Sequence, residues 1–129
     1  MRLYTLLEKM AKKLGVDWII ETSTIDGWTV EKWQSGKMVQ RLYKGKDLAG
    51  WSDVPYMPNA KTSAKTYIFP VPFKDVPMAL ASATGGSGIG MGVTTHNSAT
   101  GTTLHVTGSQ SCTANGGYAI SILAIGKWK

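Results

Sequence analysis

Hydrophobic and polar positions divide this chain into a short helical stretch and a long run of strand-length segments. In residues 2–14, Leu3, Leu7, Met10 and Leu14 follow a 4-3-4 spacing, with Leu6 beside the stripe and Glu8, Lys9, Lys12 and Lys13 off it. That period is helical, and Gly15 supplies a natural C-terminal stop. The seam is of coiled-coil type but covers less than two heptads, and a helix this short is marginal in water by itself. It therefore has to pack on something, either its own domain or equivalent helices of other subunits. We expect residues 1–15 to be an amphipathic assembly helix, with Leu3, Leu7, Met10 and Leu14 as its oligomer contact. Residues 16–129 then form one β domain.

From Asp17 onward the pattern changes to strands. Trp18-Ile19-Ile20 is a short apolar run. Residues 28–34 and 37–44 flank Ser35-Gly36, which reads as a two-residue hairpin turn. With that turn Trp33 faces Met38, Thr29 faces Leu42, Val30 faces Arg41 and Trp28 faces Tyr43. A loop over 45–60, rich in Pro, Gly and Asp, carries Trp51 and Tyr56. Thr66-Tyr67-Ile68-Phe69 resumes a strand, and the prolines of 70–77 remove ladder donors, which fits an edge or a crossover between sheets. Beyond it, 78–84, 89–95, 102–108 and 117–126 are strand-length runs separated by Gly, Asn and Ser clusters. About seven or eight short strands with no interleaved helices predict a mainly β fold, an antiparallel β-sandwich behind a short N-terminal helix.

Charge changes this picture. All eight acidic residues and twelve of the fourteen basic ones precede residue 76, and residues 76–126 contain no Asp, Glu, Lys or Arg. Soluble domains carry charge on roughly a quarter of their residues. Half a domain without charge implies a surface that faces something other than bulk water, copies of itself first. The net charge of +6 invites a nucleic-acid reading, but the bases do not cluster. Lys9, Lys12 and Lys13 lie on the outer face of the helix, and Lys32, Lys37, Arg41, Lys44 and Lys46 are mixed with Glu31 and Asp47. No stacking motif accompanies them, so nucleic acid is not an expected partner. The N-terminus lacks a secretory pattern, and the longest uncharged stretch is cut by Gly, Asn and Ser, so no spanning helix is expected. The expectation is a protein made in the cytoplasm, without membrane insertion.

The sequence carries no recognisable catalytic pattern. A single cysteine, Cys112, permits no intrachain disulfide and reads as a buried or half-buried thiol. Gly85-Gly86-Ser87-Gly88-Ile89-Gly90-Met91-Gly92 is followed by Val93, Thr94 and Thr95 rather than by a helix, and so reads as a turn, not a phosphate cradle. His96 and His105 have no neighbouring carboxylate and too few companions for a metal site within one chain. Glycan hydrolysis needs two carboxylates flanking a groove, whereas the acids here fall in turns and on strand faces. No enzyme, cofactor or metal is expected. Glycan binding needs aromatic faces beside neutral hydrogen-bonding groups, and the loops offer Trp51, Tyr56 and Tyr118 with Asn59, Asn97, Gln110 and Asn115. Trp51, Tyr56, Asn97 and Tyr118 are the candidate ligand-binding residues.

Three segments together resemble a known group. Ile25-Asp26-Gly27-Trp28-Thr29-Val30-Glu31-Lys32-Trp33-Gln34-Ser35-Gly36-Lys37 looks like the "W-x-x-x-K-W-x-x-G" hairpin of small virion domains in tailed bacteriophages and prophages. Phe69-Pro70-Val71-Pro72-Phe73-Lys74-Asp75-Val76-Pro77 is similar to their "[FY]-P-x-x-F-x-x-x-P" segment. Ala124-Ile125-Gly126-Lys127-Trp128-Lys129 matches their terminal "I-G-[RK]-W". Relatives often follow the hairpin with Cys-Trp-Gly, where this chain has Leu42-Tyr43-Lys44-Gly45. The resemblance covers about residues 25–129 and implies a tail-fibre, baseplate or head-fibre component, a homotrimeric β-sandwich knob behind a helical stalk. Its implied partners are other virion tail or head proteins and a host-surface glycan, and its implied location is the virion, assembled in the host bacterial cytoplasm. The alternative expectation is a carbohydrate-binding, lectin-like β-sandwich module of cellular origin.

Overall fold

In the computed structural model, which describes residues 3–54, 61–85, 92–108, 112 and 117–129, the helix α1 (Leu3–Leu14) ends at its predicted stop. Gly15 takes a left-handed φ of 69° and its N–H donates to the Lys12 carbonyl at 3.2 Å, the geometry that closes helices on glycine. Two residues later Asp17 fixes the chain. Its carboxylate accepts from the backbone N–H groups of Trp18 and Ser35, each at 3.0 Å, and from the Ser35 hydroxyl. Only Gly15 and Val16 separate the helix from that anchor.

Nine strands follow among the described residues: β1 (Ile19–Ile25), β2 (Trp28–Trp33), β3 (Lys37–Asp47), β4 (Ser52–Val54), β5 (Lys61–Ile68), β6 (Met78–Gly85), β7 (Gly92–Asn97), β8 (Gly101–Gly108) and β9 (Tyr118–Lys127). They make two antiparallel sheets in the orders β1-β2-β3-β9-β6 and β4-β5-β8-β7. The mainly β, sandwich-like class expected from the alternation is what forms. Two details differ from expectation. β3 continues to Asp47 and β4 follows, so the expected 45–60 loop is partly strand. β1 is longer than its apolar start because Asp26 (φ 50°) and Gly27 (φ 83°) make a tight turn into β2. An Asp-Gly pair at positive φ is the turn that matches strand twist.

The β2–β3 register corrects the sequence reading by one residue. Trp28 faces Leu42, Thr29 faces Arg41, Val30 faces Gln40 and Lys32 faces Met38. The cause is Gly36, whose φ of 99° makes it a third loop residue after Gln34 and Ser35. Its N–H closes the turn on the Trp33 carbonyl at 3.0 Å. Shifting an antiparallel register by one exchanges the two faces of a strand. Here the shift gathers Trp28, Val30, Met38, Gln40 and Leu42 on one face, and all five are buried. They meet Tyr67 of β5, Leu104 and Val106 of β8, and Tyr118, Ile120, Ile122 and Ala124 of β9 in one core.

Residues 69–77 cross from β5 in one sheet to β6 in the other, the role their prolines predict. The crossover is held by backbone bonds from Phe69 to Thr100, Phe73 to Ala99 and Lys74 to Lys127, at 2.8–2.9 Å. The buried Gln40 amide donates to the Val71 carbonyl at 2.6 Å. Trp28, Phe69 and Phe73 stack edge to face, with centroids 5.6 and 5.1 Å apart. The chain end closes over the same place. Trp128 bonds through its backbone N–H to Gly36 at 2.9 Å and through its indole to the Trp33 carbonyl at 3.0 Å. The three segments that carry the sequence resemblance are therefore mutual neighbours, and what they build is core and closure.

Gly126 sits where this closure is tightest. A Cβ there would lie 2.7 Å from the Phe73 ring and 3.1 Å from Pro77 Cβ. Phe73 is buried and stacks edge to face on Phe69, so making room for a methyl group disturbs the aromatic cluster. Gly126→Ala should lower stability by about 1–3 kcal/mol, the range for overpacked cores, read as a lower denaturant midpoint. A wild-type midpoint would show that the aromatic cluster yields.

Candidate functional site

The four residues expected to bind a ligand are not brought together. Trp51 and Tyr118 do meet, edge to face at 5.0 Å, but in the interior. Tyr118 has no exposed surface, because its even-numbered position on β9 points into the core with Ile120 and Ile122. It is a packing residue, not a binding face, which corrects the expectation. Trp51 is half-buried, its indole donating to the Asp47 carbonyl at 3.1 Å. Asn97 ends β7, the opposite edge of that sheet from β4, and accepts from the Thr102 hydroxyl at 2.7 Å. Tyr56, together with Asn59, Gln110 and Asn115, lies outside the described residues, as do residues 86–91 of the glycine-rich run.

Trp51 instead belongs to a polar cluster around Asp47, which pattern reading missed. Asp47 ends β3 opposite Tyr118 and is almost wholly buried. Lys65 points inward from β5 and donates to its carboxylate at 2.6 Å. The Tyr67 hydroxyl donates to the same oxygen, and Lys65 also reaches the Ala49 carbonyl at 2.8 Å. The Cys112 thiol lies 3.6 Å from the Asp47 carbonyl, and its backbone N–H donates to Ser63 Oγ at 3.3 Å. Burial and then the nearby Asp47 charge push that thiol up from its ordinary value, so it stays protonated and inert. The pattern of β5 gives no sign of it, since Thr62 and Ser63 are consecutive and both buried.

His96 and His105 stand on neighbouring β7 and β8, opposite Thr103 and Thr94 respectively, on the face turned away from the core. Among the described residues no group of three His, Cys, Asp or Glu is placed to hold a metal. No helix among them is long and apolar enough to cross a membrane.

Two apolar surfaces remain uncovered. The first is α1. Leu3, Leu6, Leu7, Met10 and Leu14 are all exposed, Leu3 and Leu14 at about 70% (68% and 72%), and the helix touches none of the described strands. The second is the outer face of β3, β9 and β6. Its register rows read Val39–Ile125–Met78, Arg41–Leu123–Leu80 and Tyr43–Ser121–Ser82. Tyr43 is 72% exposed, and Met78 and Leu80 are nearly as open. Arg41 pairs with Glu31 on β2, and Lys37 and Lys127 stand opposite each other at one end of the face.

The Asp47 cluster generates a pH prediction. Burial by itself raises the Asp47 pKa, but the Lys65 and Tyr67 hydrogen bonds and the Lys65 and Lys44 charges outweigh it and hold the carboxyl below its ordinary 3.8. Its contribution is therefore present above pH 3.8 and lost as pH falls through the folded value. Tyr67 is raised above 10.0, chiefly by burial and then by Asp47, so its contribution is full below pH 10 and lost as pH rises. Asp47→Asn leaves the Lys65 ammonium without its counter-charge. It should cost up to about 3 kcal/mol, the low end for broken buried pairs because Lys65 keeps a path to water. It should also flatten the acid limb of the thermal midpoint against pH, and Tyr67→Phe should flatten the alkaline limb. Unchanged limbs in both variants would remove the cluster from the stability account.

Comparison with family models, with curated proteins and with solved structures finds no match for this chain, so its own residues and geometry carry the functional reading.

Proposed function

We propose that this chain is a structural protein of a phage or prophage virion, a homotrimeric fibre, knob or baseplate domain that works in host-surface adsorption or tail-tip structure. The observation that carries the assembly part of this reading is α1, an amphipathic helix with its apolar stripe in solvent and no strand against it. Twelve residues are too few for a helix to hold itself in water, so equivalent helices are its natural support. Three copies around an axis bury Leu3, Leu7, Met10 and Leu14 and leave Lys9, Lys12 and Lys13 in solvent. Leucine and methionine at seam positions do not fix the oligomer number, so the β domain selects three. The virion part rests on the ordered resemblance of residues 25–37, 69–77 and 124–129. The alternative is a cellular glycan-binding module; the burial of Tyr118 removes one candidate ligand residue from both readings.

Solution mass at micromolar concentration tests the reading, with an expected value of three times the 13.9 kDa chain. A clean monomer overturns it. Burying a leucine contributes roughly 1.5–3 kcal/mol, so Leu7→Asp should weaken association while the β signal in circular dichroism persists. Deleting residues 1–14 should also leave a folded β domain. Loss of the sheet signal in that deletion would make α1 a core element of each subunit.

A further inference from the structure

Bases that lie scattered along the sequence gather at one end of the fold. Lys37 of β3 and Lys127 of β9 stand directly opposite in the ladder, on the face that carries Val39 and Ile125. The Lys74 backbone N–H donates to the Lys127 carbonyl at 2.8 Å, which brings a third lysine alongside. Lys129 follows, its ammonium 4.8 Å from the centre of the Trp128 ring. We infer that this end, centred on the Lys37–Lys127 pair, is a binding surface for an acidic polysaccharide. This goes beyond the assembly reading and does not depend on it.

The charge here is not compensated within the chain. Like charges directly opposite on neighbouring strands repel and cost the sheet stability. None of these four lysines makes an ion pair among the described residues. Three acids lie nearby, and two are engaged elsewhere. Glu21 pairs with Lys32 at 3.8 Å. Asp17 accepts from the Trp18 and Ser35 backbone and from the Ser35 hydroxyl. Its carboxyl is held below the ordinary value by the Ser35 hydroxyl first and by the Lys37 charge last. Asp75, beside Lys74, is exposed. A local conflict of this kind in an otherwise consistent fold is expected at a functional surface.

Geometry selects the bearer of the anionic groups. Lys37 is held in place, its ammonium 3.6 Å above the Trp33 ring in a cation–π contact. Ammonium groups are point charges without the fork of arginine, so they take carboxylate, sulfate or phosphate alike. Single-stranded nucleic acid also stacks its bases on open aromatic faces. Here Trp33 carries Lys37, and Trp128 carries Lys32 and Lys129 at 5.5 and 4.8 Å, so lysines already occupy both rings. The next row along the face is Val39–Ile125–Met78, with Met78 exposed. An acidic sugar chain matches both features, its charged groups on the lysines and the C–H faces of its rings on that apolar row.

The test measures binding of the full chain to heparin, a linear sulfated polysaccharide, over a range of salt. The double variant Lys37→Glu, Lys127→Glu should bind about tenfold or more weakly, and its slope of log affinity against log salt should fall by about one per lysine. Lys46→Glu with Lys61→Glu makes the same change in net charge. Lys46 lies nine residues along β3 from Lys37, roughly 30 Å and well beyond the screening length, so this control should bind like the wild type. Lys127→Gln removes one of two facing like charges; it should keep or raise the thermal midpoint while still weakening heparin, and it carries the test if the double variant misfolds. A single-stranded oligothymidylate of equal charge number should bind more weakly than heparin. Binding as tight as heparin's would give the surface to nucleic acid and overturn the inference, as would no binding by the wild type or an equal loss in the Lys46, Lys61 control. A monomeric wild type that binds heparin through Lys37 and Lys127 would end the trimeric reading and leave this one standing.

Discussion

The fold depends on a single close contact, the Phe73 ring lying directly over the backbone of Gly126. Any side chain at 126 would hold the crossover of residues 69–77 away from β9. With the glycine there, Phe73 completes an edge-to-face series with Phe69 and Trp28, and Lys74 bonds to the Lys127 carbonyl. The crossover joins the two sheets, so this contact sets how they close on one another. Trp128 then latches the chain end onto the β2–β3 turn. Residues from the beginning, middle and end of the β domain meet here, and each is held by the other two.

The other end of β3 is closed by polar chemistry. Asp47, Lys65 and Tyr67 leave water together, and each satisfies the others. A buried ion pair of this kind contributes less net stability than its distance suggests, because both charges lose their hydration. Its value is geometric. The Lys65 ammonium has one acceptor cluster within reach, so β5 is fixed in register against the end of β3. Packing at one end and an ion pair at the other clamp the β3–β9 ribbon.

That arrangement explains where the uncharged residues go. β9 and β6 bury alternate side chains in the core and turn the remainder outward, and the outward set holds Met78, Leu80, Leu123 and Ile125 with small residues between and Lys127 at the end of β9. The arm has the same character, with apolar residues on both faces of β1 and along α1. Exposed apolar surface is therefore concentrated on the five-stranded sheet and the segment that precedes it. That concentration, more than any single residue, is what an assembling protein requires.

The sequence by itself determined the helix and its stop, the strand-rich class and the crossover, because each follows from local chemistry: a helical spacing ending at Gly15, alternation bounded by turn residues, prolines that cannot join a ladder. It also contained the correct hairpin register, since Trp28, Val30, Met38 and Leu42 share even numbers. Choosing between two and three loop residues, however, depends on the backbone angle of Gly36, which the letters Ser-Gly do not specify. Only the tertiary structure decided which aromatics face outward. Tyr118 and Trp51 read as loop aromatics until strand parity and the Asp47 cluster drew them inside, while Tyr43, unremarkable in sequence, stands in solvent. The pairing of Asp47 with Lys65 and the seat of Phe73 on Gly126 were equally hidden, because both join residues far apart in the chain. Spacing along a chain reports local geometry, and contacts that close a sandwich exist only once both sheets are present.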